Sequence, residues 1–145
     1  MNNQTILEVK NLKVNFDVSS EGDMPWTKAK KLQAVNDISF SLNAGETLGV
    51  VGESGCGKST LARAIVKMVP AEAGEVVWLG NDLLGLSHSE TRPYRKQIQM
   101  IFQDPLASLN PIMNIGEIIA EPLRTHYPKT PEADVQARVI DVMNK

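Results

Sequence analysis

The stretch Gly52-Glu53-Ser54-Gly55-Cys56-Gly57-Lys58-Ser59-Thr60 leaves the chain little freedom in what it can fold into. It matches G-x-x-x-x-G-K-[ST], a pattern expected between a strand before it and a helix after it. Both are legible. Thr47 to Val51 is a short apolar run, expected to be a strand buried on both faces. Leu61, Ile65 and Met68 recur at helical spacing, with Arg63 and Lys67 on the opposite face. The glycines at 52, 55 and 57 let the loop backbone curl and approach a polyphosphate closely. Its N–H groups then form an anion nest, and the helix adds its positive end. Lys58 brings a compact charge for the β- and γ-phosphate oxygens. Ser59 brings a hydroxyl for Mg2+, and the Thr60 hydroxyl can reach a phosphate oxygen. A chance match in a chain of this composition has odds on the order of 1 in 200. Nucleotide phosphate binding is the expectation.

The rest of the composition sets bounds. The chain has 145 residues, enough for one domain with its own core. Its 15 basic and 17 acidic residues give a net charge of −2, which offers no electrostatic reason to expect a nucleic acid partner. A single cysteine excludes an intramolecular disulfide and suits a reducing cytosol. Met1 to Thr5 is polar, with no apolar signal region. No apolar run approaches the roughly 20 residues that span a bilayer. Work at a membrane would require a partner that crosses it.

Along the chain, Thr5 to Asp17 carries strand signal interrupted at Lys10-Asn11, which reads as a hairpin. Val18 to Lys31 reads as an exposed insertion holding Trp26, a local packing anchor, and a solvated cluster of Lys28, Lys30 and Lys31. Strand signal resumes at Leu32–Val35 and again through Ile38, Phe40 and Leu42. Asn43 to Glu46 is a turn. Beyond the loop helix, Val76 to Leu79 is a strand, and Ser87-His88-Ser89-Glu90 is a capping box whose helix must be short or bent because Pro93 follows. Ile98 to Phe102 is a second buried-strand candidate running into Gln103-Asp104-Pro105. Ile115, Ile118, Ile119 and Leu123 have helical spacing. Thr130-Pro131 reads as an N-cap and first helical residue, followed by an apolar stripe of Val135, Val139, Val142 and Met143.

The phosphate loop alone does not separate ATPase from GTPase or kinase; the flanking residues do. The segment from Gly49 to Thr60, together with Gln99-Met100-Ile101-Phe102-Gln103-Asp104-Pro105-Leu106-Ala107-Ser108-Leu109-Asn110-Pro111 and Ile115 to Leu123, resembles the nucleotide-binding subunits of ABC transporters. Within them the closer resemblance is to the peptide/nickel-uptake branch, the oligopeptide-permease ATPases. No general ATPase requires the second run, and guanine-recognition motifs are absent. The resemblance covers essentially the full chain, least informatively over the insertion. It implies an α/β fold: a P-loop NTPase core with an N-terminal antiparallel β subdomain and the start of a helical subdomain. The implied division is 1–47 antiparallel part, 48–103 core to the Q-loop, and 104–145 start of the helical subdomain.

The resemblance also implies roles. Gln103 becomes the Q-loop residue, its side-chain oxygen reaching Mg2+ and the attacking water, so that Lys58 and Gln103 are the catalytic candidates and Ser59 and Gln103 the metal candidates. Phe16 falls where the family stacks adenine, a contact worth about 1–3 kcal/mol per base, and Val35 where the base edge is touched. Residues 52 to 60, Glu53, Ser54 and Cys56 included, hold the phosphates of ATP. The implied partners are a second ATPase subunit, membrane-spanning permease subunits and, indirectly, a peptide-binding protein, at the cytoplasmic face of the membrane. Asp104 to Pro111 would meet the membrane subunits, although Ile112-Met113-Asn114 lacks the basic residue expected there. The family also needs a Walker B Asp-Glu pair after four apolar residues, a Leu-Ser-Gly-Gly-Gln signature and a switch histidine. Neither Val139-Ile140-Asp141 nor Leu86-Ser87 supplies the first two, and His88 and His126 follow no such strand. The expectation is therefore an N-terminal fragment or truncated product of an importer ATPase. The alternative is a catalytically silent nucleotide-binding module.

Overall fold

The computed structural model describes residues 4–18, 30–104, 106 and 108–145. Trp26, Lys28 and most of the expected insertion lie outside them. Two compact units divide between Ile98 and Gln99, and each is described by itself.

The first unit is built on one antiparallel sheet of order β2-β1-β3-β4. β1 spans Thr5–Val18 and β2 Lys30–Asn43, each 14 residues long. β3 spans Ala73–Trp78 and β4 Asn81–Asp82. The expected hairpin within Thr5–Asp17 is not there. β1 runs through the Lys10-Asn11 interruption as a bulge, with Asn11 at φ 48. Asn tolerates the left-handed region, so the strand absorbs the extra residue without turning back. β2 likewise joins the two expected strands through Asp37 at φ 58. β3 stops one residue short of expectation, because Leu79 is left-handed at φ 47 and begins the turn through Gly80.

The sheet closes on β1 and on α1 (Lys58–Ile65). Leu7, Val9, Leu12 and Val14 of β1 meet Val35, Leu61, Ala64, Val76 and Leu83 in a single buried cluster. In α1 the inward positions are Leu61 and Ala64. Met68, expected on that face, is 54% exposed, because the helix ends at Ile65 and Lys67 turns left-handed at φ 55. The Lys67 ammonium instead donates to the Leu84 and Leu86 carbonyls at 3.3 and 2.5 Å, tying the end of the helix to the segment after β4.

Neither expected buried strand forms. Thr47–Val51 and Ile98–Phe102 are irregular, with Val51 93% and Ile101 94% exposed. A parallel strand needs a neighbour to take its N–H and C=O groups. Among the described residues the only sheet is the antiparallel one, so these apolar runs have no ladder to join. The antiparallel part also reaches beyond residue 47, through β3 and β4.

α2 (His88–Thr91) is a single turn, as the proline at 93 requires, and its capping box is complete. The Ser87 amide donates to Glu90 Oε2 at 2.8 Å, and the Glu90 amide donates to Ser87 Oγ. Those Ser87 contacts hold the Glu90 carboxyl below 4.5. Its contribution to stability is therefore present above pH 4.5 and lost as pH falls through the lower folded value. Stability measured by urea titration from pH 6 to pH 3 should fall less steeply in Glu90→Gln than in the parent. Identical slopes would remove the capping carboxylate from the pH dependence.

The second unit packs α3 (Ile115–His126) on α4 (Glu132–Met143). Asn114 and Glu117 form a capping box that sequence reading did not single out. Ala120, Val135 and Val139 are buried, flanked by Ile119 and Leu123, while Ile115, Val142 and Met143 stay exposed. α4 starts one residue later than expected: Pro131 is itself the cap, at φ −56 and ψ 143, and its carbonyl accepts from the Asp134 and Val135 amides. Arg124 and Glu132 pair at 2.5 Å across the turn between the helices. No helix among the described residues is long and apolar enough to cross a membrane.

Candidate functional site

The turn Asn43–Glu46 leads the chain off β2. Gly45 takes φ 77, and the Glu46 carboxylate accepts from the Asn43 amide at 2.8 Å. The loop 52–57 then turns into α1 at Gly57, which caps the helix with φ 96 and no side-chain hydrogen bond. A Cβ at Gly57 would lie well inside van der Waals contact distance of the Ala34 carbonyl oxygen. The loop thus rests backbone to backbone on β2, an approach open only to glycine.

Three features make the start of α1 suited to an anion. No side chain caps it, no acidic residue stands in its first turn, and its leading N–H groups are those that a helix cannot satisfy internally. Ser59 is exposed within that first turn, and Thr60 is half-buried beside it. The Lys58 ammonium donates to the Gly52 and Glu53 carbonyls at 2.7 and 2.5 Å and lies 3.5 Å from Cys56 Sγ. It bridges the two ends of the loop. Such a donor set fits a triphosphate. It also fits Mg2+ held largely by phosphate oxygens and water with one protein hydroxyl, the mode this ion favours. Among the described residues no group of three His, Cys, Asp or Glu could form a metal cage of its own.

Of the residues singled out by sequence, Val35, Cys56, Gly57 and Lys58 line one open cavity of about 210 Å³, together with Ala34, Asn36, Ile38, Val50, Val51 and Leu61. Val35 is 5% exposed and belongs to the core beside Gly57. Phe16 stands outside the cavity, paired with Leu32 and 37% exposed. Gln103 is exposed and belongs to the second unit. Sequence reading missed Ala34, whose contribution is a backbone carbonyl. No residue type announces that role.

Known proteins resemble this chain along most of its length. The ABC transporter family model matches residues 35–145. The oligopeptide transport ATP-binding protein OppF of Salmonella typhimurium is 57% identical over 142 residues, covering 98% of this chain. OppF of Haemophilus influenzae is 55% identical over 144 residues, covering 99%. The chain spans only 42% and 43% of those two relatives. Among solved structures, the dimeric post-hydrolysis ATP-binding cassette MJ0796 bound to ADP and Pi superposes with a TM-score of 0.77 at 22% identity. That match covers 94% of this chain and 55% of the cassette, and establishes the fold as part of an ATP-binding cassette. With a family model covering the loop and all that follows it, and relatives more than half identical along nearly its whole length, the chain belongs to the ABC transporter family.

Proposed function

We propose that this chain is the nucleotide-binding part of an ATPase subunit that couples ATP binding and hydrolysis to oligopeptide uptake. The observation that carries the reading is 57% identity, over 98% of the chain, to a protein named for oligopeptide transport and ATP binding. The loop supports it physically. The α1 N-terminus and the loop amides receive the β- and γ-phosphates, and Lys58 shifts one of its three donors from a loop carbonyl to a phosphate oxygen. Ser59 would hold Mg2+ through its hydroxyl, and Phe16 would offer a π face to adenine. Bound Mg2+ would neutralise charge between the β- and γ-phosphates. Gln103, on its own unit, would supply a side-chain oxygen for Mg2+ and the attacking water, as the family resemblance implies. Hydrolysis further requires a carboxylate and a signature motif that these 145 residues do not hold. The partners are a second ATPase subunit and membrane-spanning permease subunits, with a peptide-binding protein acting through them. The site of action is the cytoplasmic face of the membrane.

The exposed Cys56 thiol reports on the loop directly. In the intact polypeptide, a maleimide should label Cys56, Mg-ATP should protect it, and Lys58→Ala should lose the protection and the uptake of a labelled oligopeptide together. Equal labelling with and without Mg-ATP would overturn nucleotide binding at this loop. Protection in the parent combined with normal uptake in Lys58→Ala would favour a silent nucleotide-binding module instead.

A further inference from the structure

The β1–β2 ladder changes register and then corrects itself. Leu7 pairs with Leu42 and Val9 with Phe40; further on, Leu12 pairs with Ile38 and Val14 with Val35. Between Val9 and Leu12, β1 carries one residue more than β2. Between Leu12 and Val14, β2 carries one more than β1. The surplus on β1 is at Asn11 and the answering surplus on β2 is at Asp37, both left-handed. They are bonded to each other. Asn11 Nδ2 donates to Asp37 Oδ1 at 3.0 Å, and the Asn11 amide donates to Ser39 Oγ at 2.8 Å. From the other side Gly74 of β3 closes on the same bulge, where a Cβ would lie 2.6 Å from the Lys10 carbonyl oxygen and from Leu12 Cα.

What this pairing sets is the position of Ala34 and Val35. Just beyond it, Val14 pairs with Val35 and Asn15 with Gln33, so that Ala34 is left without a partner in the ladder. That unpaired residue is the one whose carbonyl oxygen Gly57 abuts, and Val35 lies under the same glycine. A slip of one residue in β2 would turn Val35 out of the core and carry the Ala34 carbonyl away from the loop.

We infer that Asn11, Asp37 and Ser39 form a positioning lock for the phosphate loop, fixing the register of β2 so that Ala34 seats Gly57 at the start of α1. None of the three lines the cavity at the loop; they act through Ala34. The inference rests on the proposal that the loop binds nucleotide, and its test separates the two.

The test measures Mg-ATP affinity of the intact polypeptide, well below its unfolding temperature, in Asp37→Gly/Ser39→Ala, in Asp37→Asn and in Val76→Ala. Glycine keeps the left-handed backbone at 37 while removing the acceptor. Asparagine keeps both. The double variant should bind about tenfold more weakly, and Asp37→Asn should stay within about twofold of the parent. Val76→Ala, a core change on β3, should lower the unfolding temperature without changing affinity. Parent-like affinity in the double variant would overturn the lock. So would equal weakening in Asp37→Asn, or a loss in Val76→Ala as large as in the double variant. A parent that does not bind Mg-ATP at all would overturn the nucleotide reading, and the lock with it.

Discussion

Gly57→Ala should abolish measurable Mg-ATP binding and lower the unfolding temperature in one step. The residue sits at φ 96, and the new methyl group would meet the Ala34 carbonyl oxygen head on. The left-handed backbone alone costs about 1–3 kcal/mol for a residue with a side chain. The clash is with backbone on a central contact, so no rotamer change relieves it. The first turn of α1 must lift away from β2, and the amides that face the phosphates move with it. At about 2–4 °C per kcal/mol the thermal shift would be plain in a calorimetric scan. A variant that kept both parental affinity and parental melting would mean that Gly57 is not pinned on β2.

Leu12→Ala should cost about 2–5 kcal/mol of stability, the range for truncating a fully buried leucine. Leu12 is wholly inaccessible, at the centre of the cluster that joins β1 to β2, β3 and α1. It also lies directly after the Asn11 bulge, where the backbone is gripped from both sides and has little room to collapse into the space left behind. The expected readout is a lower urea midpoint at unchanged m-value. Leu32→Ala on the exposed part of β2 should stay within about 0.5 kcal/mol. A loss no greater at Leu12 than at Leu32 would mean that the buried cluster is not what holds the sheet.

The phosphate loop was legible in the sequence because its chemistry needs particular residue types at fixed spacing. The capping box at Ser87 was legible for the same reason: short polar side chains bond to backbone a set distance away. The sheet was less so. Asn11 interrupts the alternation of β1 in a way that a hairpin would also produce. What decides is the answering residue at 37 and the glycine at 74, and their pairing is a property of three strands together. Thr47–Val51 and Ile98–Phe102 have the composition of buried strands. Composition records what a segment can pack against, and strand geometry appears only when a neighbour is present to share hydrogen bonds. Phe16, Val35 and Gln103 came from resemblance alone. Of these, the packing places Val35 beneath Gly57.

The two kinds of strand in this chain differ in when they can form during synthesis. Every partner that β1 needs has been synthesised once Asp82 has been made, since β2, β3 and β4 all precede or include that residue. Val51 and Ile101, by contrast, stand in water as the chain is described. The antiparallel sheet can therefore be complete while the apolar runs at 47–51 and 98–102 are still looking for strands to join. During that interval the growing polypeptide displays two sticky, β-prone segments. This is the stage at which a chaperone would have the most to bind and at which misassembly would compete hardest with folding.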